Sequence, residues 1–288
     1  MGGAIGDGYG GPFEGQKTPI VEGGQAWRLS DDTQLTLATC EALIETRGVV
    51  EPQRIAERFA VWHRESKVTG MGASTFKALS ELVHGAHWAL VGAKGERAAG
   101  NGAAMRIAPL AFLLNPEVDT DRSAIRDVSR ITHHHDEAYV GALAIVAAVR
   151  ASYGGHWTGD DLLISLVTPL LPDSVVRDRL ELMAASAAGA PIQDIARQHG
   201  RSGYVAESVP LSIHAAQQVK KCGFEKTLQH LAAAGGDTDS NCAMAGQIMG
   251  AWLGYDQIPT HLLEQLPERV FIEDTANRFA DVVLRRER

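Results

Sequence analysis

Residues 235–254 read GGDTDSNCAMAGQIMGAWLG: a glycine pair, an Asp-Thr-Asp-Ser turn, then an unbroken helical pattern. Met244, Met249 and Trp252 fall at spacings compatible with one apolar helix face and are assigned to packing. Asp237 and Asp239 alternate across the turn, and Ser240 is placed to cap a helix running to Leu253. The same grammar stands near the other end of the chain. Ser30-Asp31-Asp32-Thr33 opens a run from Thr33 to Thr46 in which Leu35, Ala38 and Ala42 recur near the helical period, and Gly48 marks the exit. Each polar loop introduces an apolar helix, so we expect a hard-metal site assembled from both ends of the chain. Carboxylate and hydroxyl oxygens suit Mg²⁺ or Mn²⁺ better than softer metals. Four carboxylates brought together without cations would repel strongly. The competing reading is ordinary N-capping, for which Ser and Asp are favoured.

Helical patterns tied by Gly and Pro turns fill the rest of the chain. The spacing predicts helices over Pro52–His63, Thr75–Val91, Ala124–Ile131, Ala138–Tyr153, Asp160–Thr168, Ser174–Ala188, Pro191–His199, Pro210–Lys220 and Glu225–Ala233. No strand series competes, which makes the expected fold all-α. Connectors at 95–102, 115–121 and 154–161 are short enough to join helices rather than domains, so residues 1–288 are read as one domain. With 45% hydrophobic residues in 288, the chain can bury a large core. A formal charge of -8 argues against nucleic-acid binding, which needs a basic footprint. Cys40, Cys222 and Cys242 form neither a paired disulfide framework nor a close metal motif and are read as structural thiols in a reducing compartment. No apolar run approaches the ~20 residues needed to span a membrane, and no basic region precedes an apolar signal segment. A cytoplasmic protein with no membrane partner is the expectation.

Three further constellations carry chemistry. GGAIGDGYGGPFEG, residues 2–15, has glycines that permit close backbone approach, and Glu14 ends a polar turn after Pro12 and Phe13. It lacks the Lys-Ser or Lys-Thr ending of a phosphate loop and the context of a dinucleotide fingerprint. Glu14 is a solvated turn residue or an acidic ligand, and Asp7 belongs with the tight packing of the glycines. In GNGAAMRIAP, residues 100–109, Gly100 and Gly102 could expose backbone N–H groups around Asn101 to a phosphate or sugar. The alternative is a helix entrance with Met105 in the core and Arg106 solvated. Thr132-His133-His134-His135-Asp136 reads as a polar helix junction in which one or two histidines could bind a substrate hydroxyl or phosphate. Adjacent histidines cannot easily all face one metal, which disfavours a zinc site. Trp27, Phe76, Trp88, Tyr153 and Tyr204 are assigned to packing rather than adenine stacking, and Arg28 to the surface.

In order along the chain, GGAIGDGYGGPFE, SDDTQLTLA, GNGAAMR, THHHDEA and GGDTDSNCAMAGQIMGAWLG resemble the motif series of the ADP-ribosylglycohydrolase family, including dinitrogenase-reductase-activating glycohydrolase. SDDT or GGDTDS alone is a weak signal; five motifs in order, covering nearly the whole chain, are highly specific. GYVAESVPLSIHAA, residues 203–216, is similar to the segment leading to the family's last metal-binding helix. The resemblance implies a compact orthogonal multi-helix fold whose cleft holds two Mg²⁺ or Mn²⁺ ions. Ser30, Asp31 and Asp32 match the first metal-binding triplet, Asp237, Asp239 and Ser240 the second, and Glu14 the acidic residue near the second metal. Both serines stand where Thr is frequent and keep the hydroxyl. Gly100, Asn101, Gly102 and Ala103 correspond to the substrate loop. His133 and His135 match the histidine motif near ADP-ribose, with His134 at the variable position between them. The family's usual start carries several residues before the first glycines, whereas this chain begins almost inside the motif, with every proposed ligand present.

The implied function is hydrolysis of the glycosidic bond between ADP-ribose and an acceptor, foremost an arginine side chain on a protein. The catalytic candidates are Glu14, Asp31, Asp32 and Asp239. Glu14, Asp31 or Asp239 could assist deprotonation of water, and nearby carboxylates can stabilise positive charge on the sugar. Alternatives are hydrolysis of ADP-ribosyl-serine, O-acetyl-ADP-ribose or another ADP-ribosyl metabolite, or a non-enzymatic ADP-ribose-binding or immunity protein. The complete acidic set argues for catalysis. Loops around Lys67 to Thr75 and Tyr153 to Asp161 could shape the acceptor entrance.

Overall fold

Nine residues that include five glycines form the first helix, α1 (Gly2–Gly10), followed by a 3₁₀ turn at Gly11–Phe13. No helix was expected over these glycines, whose reading was close backbone approach. Glycine disfavours a helix by about 1 kcal/mol per residue relative to alanine, so packing must account for the conformation. The explanation lies in a second helix, Thr238–Leu253, which runs antiparallel to α1 with backbones in contact. A Cβ on Gly2 would lie 2.2 Å from the Gly246 carbonyl oxygen, one on Gly6 2.0 Å from that of Cys242, and one on Gly10 2.2 Å from that of Thr238. Side chains spaced four apart on both partners would collide; their absence lets the helices touch along their length.

The computed structural model describes residues 1–17, 19–21, 25–186 and 189–286. After α1 come α2 (Asp31–Glu45), α3 (Pro52–Arg64), α4 (Ala73–Val83), α5 (Asp119–Arg130), α6 (Asp136–Tyr153), α7 (Leu163–Val167) and α8 (Val175–Ser186). The series continues with α9 (Ile192–His199), α10 (Val205–Ala216), α11 (Val219–Cys222), α12 (Phe224–Ala234), α13 (Thr238–Leu253), α14 (Thr260–Gln265) and α15 (Arg269–Arg286). The fold is all-α, with, among the described residues, a two-residue parallel strand pair, β1 (Ala93–Lys94) with β2 (His133–His134), registered Ala93 to His133.

Burial decides the layering. α6, α10 and α13 are buried around most of their circumference and form the centre, as expected of helices apolar on all sides. α2 and α15 pack together on one flank, and α8, α9 and α12 lie on the α10 side. Nearly all the buried apolar side chains described belong to one connected cluster. Glu137, at the start of α6, accepts the Val175 and Val176 N–H groups at 2.9 and 3.0 Å and so caps α8.

Several boundaries differ from the sequence reading. α4 ends at Val83 rather than Val91, with Gly85 at φ +86° just beyond it in a left-handed helix-stop conformation. α7 is confined to Leu163–Val167, with a 3₁₀ turn after it. α10 begins at Val205, so Pro210 lies inside it rather than at its start, where tertiary burial outweighs the lost N–H bond. The expected end of α8 at Ala188 lies outside the described residues. α14 and α15 follow the last motif, where no helix was expected.

The α1–α13 contact is testable. Gly6→Ala should destabilise by at least about 2 kcal/mol, since overpacking typically costs ~1–3 kcal/mol. That corresponds to a melting point lower by roughly 4–8 °C for a domain of this size. Gly11→Ala is the control: Gly11 has φ -52°, and its nearest prospective contact is the Arg28 carbonyl oxygen at 3.7 Å. Calorimetry showing equal melting points for the two variants would remove backbone contact as the reason for the glycines.

Candidate active site

Asp7 starts the site. It is fully buried in α1, and its carboxylate accepts the Ser30 N–H at 3.0 Å, the Ser30 hydroxyl at 2.9 Å and the Thr33 N–H at 3.2 Å. An α1 side chain therefore holds the N-terminus of α2 and fixes the Ser30–Thr33 turn. Ser30 is the N-cap of α2, as the competing reading had it, accepting the Asp32 N–H at 3.3 Å. Asp31 and Asp32 occupy the first turn, where the helix dipole favours negative charge.

The second acidic turn is bracketed against the Glu14 segment. Gly15 donates its N–H to the Gly236 carbonyl at 2.8 Å, and Gly236 returns one to Gln16 at 2.9 Å. Thr238 donates its hydroxyl to the Gly10 carbonyl at 2.8 Å, tying the start of α13 to the end of α1. α13 begins at Thr238, so Asp237 takes the N-cap position and Ser240 falls within the first turn. Ser240 therefore does not cap α13. Its hydroxyl instead donates to Asp32 Oδ2 at 3.2 Å, joining motifs 208 residues apart. One carboxylate oxygen each from Glu14, Asp237 and Asp239 lie within 4.8 Å of one another.

These groups resist ionising together. Burial first, then the charge of Asp7, pushes the Asp31 carboxyl up to about 7. Burial, a hydrogen bond with Asp237 and the charges of Asp237 and Glu14 push Asp239 up to about 9. Asp32 is raised well above the usual carboxylate range by burial and by Asp239, and Glu14 is raised by partial burial and Asp237. Asp32 Oδ1 is buried and accepts no hydrogen bond. An all-oxygen donor set with an unmatched buried lone pair and suppressed ionisation fits a hard divalent cation.

Of the remaining expected residues, Asn101 joins the acidic cluster directly, and Gly100 and Gly102 lie against His133. Asn101 donates Nδ2 to Asp237 Oδ2 at 2.8 Å, and its backbone N–H bonds the Gly203 carbonyl at 3.0 Å. Gly100 pairs with Tyr204 in an antiparallel bridge, so the 100–103 loop is braced against the entrance of α10. Ala103 is buried, and Gly102 packs against the His133 ring. His135 is the N-cap of α6, where its Nδ1 accepts the Glu137 N–H at 3.1 Å. Arg106 is not solvated: it is fully buried, and its guanidinium lies 4.8 Å from the centre of the Phe59 ring. A separate cavity of about 430 Å³ is lined mostly by apolar groups such as Leu37, Phe112, Phe279 and Val283. Of the acidic cluster only Asp32 borders it, so it is not the cleft described here.

The family model for ADP-ribosylglycohydrolase matches residues 1–288. The chain belongs to the ADP-ribosylglycohydrolase family. It is 28% identical to ADP-ribosylhydrolase ARH3 of Danio rerio over 90% of this chain and 82% of that protein. With the ADP-ribosyl-[dinitrogen reductase] glycohydrolase of Rhodospirillum rubrum it shares 25% identity over 89% and 79%. A solved ADP-ribosylglycohydrolase-related protein complex superposes with a TM-score of 0.70 at 24% identity, over 98% of this chain and 95% of that one, and so shares its fold. The protein is accordingly a glycohydrolase of ADP-ribose linkages.

For an ADP-ribosylglycohydrolase built this way, sequence reasoning missed several supports. Asp7 was placed with the glycine packing rather than as the anchor of the Ser30 turn; its signal was a lone carboxylate inside an apolar, glycine-rich segment. Arg201, whose carbonyl accepts the Asp237 N–H at 3.0 Å, and Glu207, which accepts the Arg201 and Ser202 N–H groups at 3.1 and 3.0 Å, carried no separate signal. Among the described residues, no helix is long and apolar enough to cross a membrane.

Raised carboxyl pKa values have a stability consequence. Between the usual value of 3.8 and the folded values of about 7 for Asp31 and about 9 for Asp239, the native state binds more protons than the unfolded chain. Stability without divalent cations must therefore fall as pH rises through that window. Scanning calorimetry in chelator should show the melting point dropping from about pH 5 to about pH 8, with Mg²⁺ or Mn²⁺ restoring more at the higher pH because cations compete with protons. A melting point independent of both pH and cation would contradict the clustered-carboxylate account.

Proposed function

We propose that this enzyme hydrolyses the bond between ADP-ribose and an arginine side chain, using two Mg²⁺ or Mn²⁺ ions held by Glu14, Ser30, Asp31, Asp32, Asp237, Asp239 and Ser240. The observation that carries the reading is the convergence of Glu14, Asp237 and Asp239 with the Asp32–Ser240 bond. A bound pair of ions supplies Lewis acidity toward the ribose hydroxyls and toward water. The chain's own groups do the rest. Asn101, fixed by Asp237 and Gly203, places the 100–103 loop along the ADP-ribose. Glu14 is the exposed carboxylate of the set, whereas Asp31, Asp32 and Asp239 are buried. We therefore assign it the proton of the attacking water. Asp31 and Asp239 stabilise the positive charge that develops on the sugar as the bond breaks. Water oxygen bonds to the anomeric carbon, the bond to the acceptor breaks, and the acceptor leaves with a proton.

Two features support arginine as acceptor. A guanidine is basic enough to take its proton without a strong general acid, and His133 is a poor one: it is pushed down to about 3 by burial, with Arg106 and His134 adding repulsion, while His135 Nδ1 accepts the Glu137 N–H as a cap. A chain of net charge -8 also tolerates a cationic acceptor at its mouth. The three free cysteines are consistent with the cytoplasmic setting inferred for it.

Asp32→Ala or Asp239→Ala should weaken divalent-metal binding and lower turnover by at least ~100-fold, with far-UV spectra confirming the fold. Full activity in excess chelator would refute the metal site. Asn101→Ala should keep the metal but weaken ADP-ribose binding by ~1–3 kcal/mol in calorimetric titration; native affinity would remove Asn101 from the substrate wall. Comparing kcat/KM on matched arginine-linked and serine-linked peptides and on O-acetyl-ADP-ribose reads differential transition-state stabilisation directly. Arginine should be preferred. A preference for serine would move the acceptor, and activity confined to the acetylated compound would place the function outside protein demodification.

A further inference from the structure

Arg106 is fully buried, which is rare for an arginine without an ionic partner, and none of its hydrogen bonds goes to the acidic cluster. Its Nη2 donates to the Thr132 hydroxyl at 2.9 Å and to the Val128 carbonyl at 3.3 Å. A guanidinium has donors only, so Thr132 Oγ1 is the acceptor in that bond. The hydroxyl proton then needs an acceptor of its own, and His133 Nδ1 lies 2.8 Å away. The far edge of the ring faces the substrate loop. A methyl group on Gly102 would fall 2.7 Å from His133 Cε1, and one on Gly100 would fall 3.2 Å from Nε2.

We propose that Arg106 and Thr132 are positioning residues that fix His133 as the neutral tautomer protonated on Nε2. The ring then presents a permanent N–H donor beside Gly100–Gly102, where it meets an acceptor oxygen of the bound ADP-ribose. Arg106 acts through Thr132 because its charge cannot be lost and its donors cannot accept, so the direction of both hydrogen bonds is set from one end. With its Nδ1 lone pair taken by Thr132 and its Nε2 carrying a proton, His133 offers no lone pair to a metal and no proton acceptor to water. It binds and orients; it does not take part in proton transfer. Only the identity of what Nε2 meets rests on the ADP-ribose reading. The tautomer is a property of the free protein.

The test uses full-length protein labelled with ¹⁵N-histidine, with His133→Gln identifying the ring signals. Long-range ¹H–¹⁵N spectra at neutral pH should show a bare Nδ1 and a protonated Nε2 for His133. Thr132→Val keeps the side-chain shape and removes the hydroxyl; it should mix the tautomers and weaken binding of free ADP-ribose about tenfold, as for loss of one buried polar partner, with Mn²⁺ affinity unchanged. Thr132→Ser should restore both the tautomer and the affinity. Arg106 variants are a poorer probe because removing a buried guanidinium endangers folding, so the Thr132 pair carries the decision. A proton on Nδ1 in the unmodified protein overturns the proposal. So does loss of affinity in Thr132→Val with the tautomer unchanged, since Thr132 would then act on the fold, or retention of both. Failure of the unmodified protein to bind ADP-ribose, with the expected tautomer present, supports the relay and rejects the substrate reading instead.

Discussion

Backbone contact between α1 and α13 is the constraint on which the site depends. The two helices run antiparallel, so the end of α1 lies beside the start of α13, and Gly10 meets Thr238 where the acidic turn begins. Opposed helix dipoles favour that pairing, because the negative end of one adjoins the positive end of the other. The propensity penalty for five glycines is on the order of 4–5 kcal/mol relative to alanine. Burial of both helices in the centre of the fold offsets it. Had either helix carried side chains on this face, interaxial separation would rise toward the ~8–10 Å of ordinary helix packing. Glu14 and Asp237 would separate with it.

Six carboxylates gather at this junction, but the fold treats them unequally. Asp7 receives N–H groups from Ser30 and Thr33 and the Ser30 hydroxyl, so its lone pairs are spent on structure. Asp32 keeps one buried oxygen unbonded, and Glu14, Asp237 and Asp239 crowd one another. Buried charge of one sign without matching donors lowers stability. A fold optimised for stability alone would neutralise such a cluster with basic side chains. Here Arg106, the fully buried arginine among the described residues, is directed to Thr132 and Val128 instead, which leaves the acidic oxygens without a basic partner from it.

How much of this was legible depends on whether the signal was local. The Ser30 cap was readable because capping involves residues two or three apart. Ser240 was misread as a cap because the helix begins two residues earlier, a choice made by Thr238 bonding Gly10 across the fold. α1 was unreadable from propensity, since the reason for its glycines lies in Cys242 and Gly246. Pro210 misled for a similar reason: α10 is buried from Val205 to Ala216, and packing overrides a local helix breaker. α15 was a missed signal rather than an absent one. Ile272, Phe279 and Val283 are buried at helical spacings, and the period alone was sufficient to find the helix.

The two ends of the proposed cleft differ in character, and so does what the sequence says of each. The side proposed to take ADP-ribose is built from short polar motifs whose members bond one another: Asn101 to Asp237, Ser240 to Asp32, Thr132 to His133. Each motif constrains the others, so their joint occurrence in sequence is informative. The proposed acceptor entrance at residues 67–75 is held differently. Gln34, one turn into α2, accepts the Thr69 N–H at 2.7 Å and donates to the Leu29 carbonyl at 3.1 Å. Gly70 follows at φ +81°, where a Cβ would lie 3.3 Å from Ser30 Cβ and 3.5 Å from Asp31 Oδ1. A single glutamine thus hangs the entrance loop over the first acidic motif, while Phe76 beyond it is 55% exposed. Solvated positions tolerate many side chains, so the identity of those rim residues carries little structural information. On the proposed reading, the rim of this loop is therefore where the acceptor would be chosen, while Gln34 and Gly70 hold its base to the first acidic motif.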